Sequence, residues 1–448
     1  MPNLNNIKHI YFLGIGGIGM SALARYFVAK NYEVAGYDRT QSQICLDLEN
    51  ASCVISYADT LDEIPTVFQS STNVLVVYTP AIPKENKLFL YFKENGYNLC
   101  KRAEVLGAIT QNSECIAVAG THGKTTISSM LTYVLSANNI DCSAFLGGIA
   151  TDFNSNLRIG AEGITVVEAD EYDRSFLQLY PNWAIISSMD ADHLDIYGNE
   201  SSLEESFKLF ADKVELGNLI AKEGLKIKAK YTYGLNSETA DFSALNIRVE
   251  EMAYHFDVRH PKGICENVIT GLPGIHNVEN ALAAFAMAYC QNVPVSGIVK
   301  SIASFSGVKR RFEIHVKNQH QVYIDDYAHH PKEIEMAIRS ARDLFPAKKL
   351  TIVFQPHLFT RTRDFMNDFA SALSAADKVL LLPIYPAREL PIKEVNSKVL
   401  LNEISCAEKS LCSKEQILEK VKDSAVLMTL GAGDIDAFVE PIKKYLER

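Results

Sequence analysis

No apolar run in the 448-residue sequence reaches membrane-spanning length, and an excess of positive charge is missing as well, the net charge being −10. The first absence excludes a helical integral membrane protein. The second argues against nucleic acid as the main partner, so an anionic substrate needs local cationic sites rather than a global field. The nine cysteines are scattered and contain no Cys-x-x-Cys pair. They read as buried thiols of a reducing compartment, not as a disulfide frame or zinc site. The chain passes from Met1-Pro2-Asn3 directly into a strand pattern, Ile7 to Leu13, without a cleavable leader. The expectation is a soluble, cytoplasmic protein with no membrane insertion. Its length suggests about three domains.

What is present is organised around Cys115-Ile-Ala-Val-Ala-Gly120-Thr-His-Gly123-Lys124-Thr125-Thr126. A β-branched apolar run enters two glycines, a Lys and paired hydroxyls, and a helical pattern follows from Ile127. This is a strand, a phosphate-cradling loop and a helix N-terminus. Lys124 is suited to a terminal phosphate and the Thr125 hydroxyl to Mg²⁺. Val118 stands where the longer phosphate loop has Gly, so the motif is a shortened Gly-x-x-Gly-Lys-Thr.

Upstream, Gly14, Gly16 and Gly19 fit Gly-x-Gly-x-x-Gly between a strand and a helix, and a second strand ends in Asp38. That is a pyrophosphate-binding turn, with Asp38 placed for a ribose hydroxyl; read alone, it also suits a nicotinamide-dependent oxidoreductase. A strand from Val74 to Tyr78 ends in Thr79-Pro80-Ala81-Ile82, an irregular loop at a ligand-binding edge. Arg102 suits a phosphate or a surface salt bridge.

Downstream, Gly147-Gly148 reads as a loop before Asn154-Ser155-Asn156. The strand Ile164 to Glu168 runs into Ala-Asp170-Glu171-Tyr-Asp173. Glu168 is the first choice for a Mg²⁺ or water-orienting acid, and most of the carboxylates after it read as solvated. The strand Trp183 to Met189 ends in Asp190-Ala-Asp192-His193, where neutral imidazole suits a second divalent ion. Asn277 reads as a helix N-cap; Asn280 suits an adenine edge. In the last region, Lys309-Arg310-Arg311 suits nucleotide phosphates or a solvated face. Four strands then end in polar or Gly-rich loops at Asp325-Asp326, Gln355, Pro383 and Gly431, which predicts a Rossmann-like sheet with one functional edge. Imidazoles and arginines on those loops suit a small carboxylate.

Together, Gly120 to Thr126, Glu168-Ala-Asp-Glu171, Asp192-His193, His276-Asn277-x-x-Asn280 and Arg310-Arg311-Phe-Glu resemble the Mur ligases, ATP-dependent amide-forming enzymes of peptidoglycan assembly. The resemblance spans the chain. It implies an α/β fold of three domains: Rossmann-like over 1–108, P-loop ATPase-type over 109–308 and Rossmann-like over 309–448. It places a UDP-sugar on Gly16, Gly17, Ile18 and Gly19, with Asp38, Thr79, Ala81 and Arg102 nearby. It places ATP on Gly120, Thr121, His122, Gly123, Lys124, Thr125 and Thr126, adenine near His276, Asn277 and Asn280, and two Mg²⁺ at Thr125, Glu168 and His193. Arg311 and Asp326 would contribute to the nucleotide. Tyr327, His329, His357 and Arg361 would hold the amino acid.

The signatures Asp325-Asp-Tyr-Ala-His-His-Pro331, Gln355-Pro-His, Thr360-Arg-Thr-Arg-Asp364 and Tyr385-Pro-Ala-Arg388-Glu389 resemble the branch that joins L-alanine to UDP-N-acetylmuramate. The recycling branch, which attaches a tripeptide to the same sugar, ranks second. The implied catalytic residues are Lys124, Glu168, His193, Arg311 and His329, with His329 and His193 equal candidates for the amine's base. Two positions depart from the pattern or stay open. Leu358 stands where the family often has Arg, which shifts carboxylate binding toward Arg361, and Lys208 lies near the place of a lysine that some relatives carbamylate.

Overall fold

The computed structural model describes residues 6–160, 163–190, 194–387 and 389–447. The three-domain α/β organisation appears as three sheets, of five, ten and six strands. The five-stranded sheet comprises β1 (His9–Leu13), β2 (Glu33–Tyr37), β3 (Val54–Ser56), β4 (Val74–Tyr78) and β5 (Asn98–Lys101). Its order, β3-β2-β1-β4-β5, is wholly parallel. The order reverses between β1 and β4, the crevice where open α/β sheets take ligands. The Gly-rich turn leaves β1 there and opens the helix Ile18–Ala29.

The central sheet comprises β6 (Glu114–Ala119), β7 (Cys142–Ala150), β8 (Ser155–Arg158), β9 (Ile164–Ala169), β10 (Trp183–Ile186), β11 (Leu219–Lys222), β12 (Tyr231–Leu235), β13 (Phe242–Glu250), β14 (Ala253–His260) and β15 (Gly263–Thr270). Its order is β15-β14-β13-β12-β11-β10-β6-β9-β7-β8. The phosphate-loop strand β6 lies between β9 and β10 and is parallel to both. Val118 is level with Glu168, and Ala119 with Ala169 and Ile186. Three carboxyl ends therefore meet at one place. These strands are nearly continuous apolar runs, as burial on both faces requires.

The last sheet comprises β16 (Glu313–Lys317), β17 (Val322–Asp326), β18 (Leu350–Phe354), β19 (Lys378–Leu381), β20 (Glu408–Leu411) and β21 (Val426–Leu430), in the order β16-β17-β21-β18-β19-β20. Only β16 is antiparallel. Asp326, Leu430, Phe354 and Leu381 are in register, so the predicted loops share one edge.

The chain forms two compact units, one of Met1–Asn246, Asp257–Val268 and Glu279–Ser306, the other of Ile247–Phe256, Ile269–Val278 and Gly307–Arg448. The five-stranded sheet belongs wholly to the first because its core is shared. Ile10, Phe12 and Phe27 run into Phe145, Val167 and Phe176 in one buried cluster, and the Tyr26 ring packs on Phe145 at 5.4 Å. Among the described residues no helix is long and apolar enough to cross a membrane.

Candidate active site

In the first unit, Gly123 opens the helix Lys124–Ala137 at φ +82°, a left-handed backbone that suits glycine. A Cβ there would run into the Asn280 carboxamide, so Asn280 lies directly against the phosphate loop. The loop is laced to the end of β10. Ser187 Oγ donates to the carbonyls of Ala119 (3.2 Å) and His122 (2.5 Å), and His122 N–H donates to Ser188 Oγ at 2.8 Å. The Thr121 and Ser188 hydroxyls are 3.0 Å apart.

Lys124 Nζ donates to Gly120 O at 2.6 Å and pairs with the fully buried Glu171 at 2.8 Å. Burial alone would push the ammonium's pKa down. The carboxylates of Glu171, Asp170 and Glu168 outweigh it, and the net shift is upward. Glu168, at the end of β9, accepts the Gly147 N–H at 2.9 Å.

In the Gly-rich turn, Asp38 accepts the N–H groups of Gly16 (2.8 Å) and Thr40 (3.1 Å). Thr79 and Ile82 flank Gly14, whose φ is +85°. The Arg102 guanidinium packs directly against Gly19 and pairs with Asp170 at 3.3 Å. Asn156, only 2% exposed, donates to Ile18 O at 2.5 Å and Ser21 Oγ at 3.0 Å, which ties β8 to the first turn after the glycines. A cavity of about 100 Å³ lies between the Gly-rich turn and the end of β9; Gly19 and Arg102 line it together with Gly147, Glu168 and Asp170.

In the second unit, Asp326 accepts the N–H groups of Phe312 and Ala328, both at 2.7 Å. Burial raises its pKa to about 6 against the pull of Arg311. Arg311 stands 5.4 Å over the Tyr327 ring and 3.8 Å from Glu333. The Tyr327 and His329 rings are 5.2 Å apart, those of His329 and His357 6.1 Å apart, and His357 stacks on Tyr385 at 5.7 Å. Burial lowers the His329 pKa, and the charge of Arg361 adds to the effect against Glu333. His276 is likewise pushed down by burial, to about 4. Its Nδ1 is buried and has no hydrogen-bond partner among the described residues.

This arrangement matches one family over nearly the whole chain. Residues 9–114 match the Mur ligase family catalytic domain, 118–288 the Mur ligase middle domain and 310–435 the Mur ligase glutamate ligase domain. The chain belongs to the Mur ligase family. It is 50% identical over 450 residues to a UDP-N-acetylmuramate–L-alanine ligase of Christiangramia forsetii, covering 100% of this chain and 99% of the relative. The enzyme of the same name from Flavobacterium psychrophilum is 50% identical, covering 99% of each. The crystal structure of UDP-N-acetylmuramate–alanine ligase from Thermotoga maritima superposes with a TM-score of 0.85 at 26% identity, covering 98% of this chain and 99% of that one. A murein peptide ligase from Psychrobacter arcticus, at 23% identity and a TM-score of 0.75, shares the fold.

The Mur ligase structure corrects several expectations. Gly147 and Gly148 lie inside β7, not in a loop, because Gly147 must approach Glu168 closely. The carboxylates after Glu168 are paired: Asp170 holds Arg102 and Asp173 holds Lys101 while both stay partly exposed, and the buried Glu171 holds Lys124. Strand β10 stops at Ile186, which frees Ser187 and Ser188 to bind the phosphate loop. Asn277 is not an N-cap; the helix begins at Ile275, and the Asn277 amide donates back to Pro273 O at 2.6 Å. Arg310 is neither solvated nor directed to a ligand, since it donates to the buried Asp325 and to Gly431 O. Lys208 is exposed on the helix Glu200–Ala211. Asp192, His193 and Arg388 lie outside the described residues. The structure adds Asn156, Glu171, Ser187, Ser188 and Glu333 to the site residues. Asn156 and Glu171 stood in motifs the sequence offered, but without their partners, and the Ser-Ser pair after an apolar run was a further local signal.

Proposed function

We propose that this Mur ligase is an ATP-dependent acid–amino-acid ligase, acting in the cytoplasm in peptidoglycan assembly. It joins L-alanine to the lactyl carboxylate of UDP-N-acetylmuramate and releases ADP and phosphate. The observation that carries this reading is the cavity linking the Gly19–Arg102 cradle to Glu168. It supports the reading because the turn proposed to take the sugar nucleotide and a carboxylate suited to phosphoryl transfer line the same space.

A carboxylate oxygen is a poor leaving group in water. The lactyl carboxylate therefore attacks the γ-phosphorus of ATP, ADP departs, and an acyl phosphate forms. The alanine amine attacks the acyl carbon, and phosphate leaves with the former carboxylate oxygen. Lys124 would transfer its attention from Glu171 to the γ-phosphate and offset the charge of the anions brought together. Thr125 and Glu168 offer oxygen donors of the kind Mg²⁺ prefers, and Mg²⁺ is usually held by one or two carboxylates plus substrate phosphates. When bound there, it would polarise the transferring phosphoryl oxygens; His193 is the proposed ligand of a second ion. Burial favours the neutral form of His329, which suits it to accept the amine's proton. Tyr327, His357 and Arg361 would hold the alanine carboxylate, and His276, Asn277 and Asn280 the adenine.

The test is phosphate release from ATP with UDP-N-acetylmuramate and a panel of amino acids, repeated with the tripeptide. L-alanine is expected to give the highest kcat/KM. Turnover with the tripeptide alone would reassign the protein to the recycling branch. Exchange of γ-¹⁸O-label in ATP that depends on the sugar nucleotide would support the acyl phosphate.

A further inference from the structure

Two features at the loop edge of the last sheet have no role in the reading above: the backbone of Leu358 and the carboxylate of Glu389. Leu358 adopts φ +70° and ψ +136°, a conformation that side-chain-bearing residues rarely occupy. It is held from both sides. Its N–H donates to Tyr385 O at 2.9 Å, Tyr385 N–H donates to Pro356 O at 2.8 Å, and His357 and Tyr385 form a β-bridge. Its carbonyl accepts from the Thr362 N–H at 3.1 Å and the Thr362 hydroxyl at 2.7 Å.

Leu358 is also the N-cap of the helix Phe359–Asp364 and offers no side-chain acceptor. A helix start exposes N–H groups that an oxygen must satisfy. Here the oxygen comes from another loop. Glu389 accepts the Thr360 N–H at 3.0 Å, and its second oxygen accepts the Thr360 hydroxyl. A negative charge at this end of the helix is favourable. The next residue in the helix is Arg361.

We infer that Glu389 is a positioning residue for amino-acid capture: by capping the helix at Thr360 it fixes the register that presents Arg361 to the carboxylate of the incoming amino acid. The strained turn at Leu358 joins His357 to the helix, and Glu389 holds the helix side of that turn. The inference rests on the assignment of Tyr327, His329, His357 and Arg361 to the amino-acid pocket.

The experiment measures KM for each of the three substrates by phosphate release, together with thermal unfolding. Glu389→Gln and Thr360→Val are each expected to raise KM for L-alanine about tenfold, the equivalent of one charge-assisted hydrogen bond. KM for ATP and for UDP-N-acetylmuramate should stay within about twofold. The double variant should be no worse than either single one, because both remove the same interaction. Thr360→Ser keeps both donors and should behave as wild type. Equal shifts in all three KM values, an unchanged KM for L-alanine, or a Thr360→Ser variant as impaired as Thr360→Val would overturn the inference. Arg361→Ala separates the two levels. If it leaves KM for L-alanine unchanged, the pocket assignment falls and the inference with it. If it raises KM while Glu389→Gln does not, only the positioning role falls.

Discussion

Glu171→Gln tests whether the phosphate-loop lysine is fixed by a buried ion pair. The substitution keeps the shape of the side chain and removes its charge. Glu171 is fully buried, and Lys124 is 14% exposed. Removing one partner of a buried pair costs roughly 3–5 kcal/mol, against about 0–1 kcal/mol for an exposed pair. Lys124 would keep the field of Asp170 and Glu168 and its bond to Gly120 O, so the lower end applies, about 3 kcal/mol. At roughly 1–2 °C per kcal/mol for a cooperative unit this large, the unfolding transition should fall by about 3–6 °C. The pH dependence has a definite sign. The net pKa shift of Lys124 is upward in the folded protein, so its stabilisation is fully present below the unfolded lysine value and is lost only as pH rises through the folded value. The whole effect should therefore be present at pH 7. Thermal unfolding followed by circular dichroism measures it. A shift below about 2 °C would place the pair with exposed ones and refute the reasoning.

Other outcomes follow from the same geometry. Asp326 has its pKa raised to about 6, so its contribution to stability is greatest below the unfolded carboxyl value and declines as pH rises through 6; urea midpoints of Asp326→Asn should lack that decline. His276, lowered to about 4, works in the opposite direction, its stabilisation being lost as pH falls from the unfolded value through 4, so His276→Gln should flatten the acid limb. Asn156→Ala removes two hydrogen bonds to the first turn after the glycines; a loss of about 1–3 kcal/mol in urea unfolding and a raised KM for the sugar nucleotide are expected. Gly123→Ala forces a side chain into a left-handed backbone and into the Asn280 carboxamide, and a fall of roughly 100-fold in kcat should follow from the displaced loop.

The parts of the site legible in the sequence were those that a short segment specifies by itself. The Gly14 to Gly19 turn, the Gly120 to Thr126 loop and the polar ends of the strands each carry local chemistry, and their strands all end at the expected edges. The rest depended on sheet order. Glu171 reaches Lys124, and Ser187 reaches His122, only because β6 lies between β9 and β10. Nothing near residue 171 announces a partner 47 positions earlier in the chain. Asn156 was visible as a polar residue after two glycines, but its target, Ile18 O, is a backbone atom 138 residues away. Asn277 went wrong for a related reason: its composition suits a cap, yet the left-handed Gly274 starts the helix earlier.

The lacing of the phosphate loop by Ser187 and Ser188 has a thermodynamic consequence. A glycine-containing loop free to sample many shapes loses that entropy when it closes on a ligand. Here the hydroxyls on the neighbouring strand end fix Ala119, Thr121 and His122 in advance, so the ordering cost falls on folding rather than on nucleotide binding. More of the binding free energy of ATP is then left for holding three anionic groups together. Cutting the laces, as in a Ser187→Ala, Ser188→Ala double variant, should show up in calorimetry as a larger unfavourable entropy of nucleotide binding.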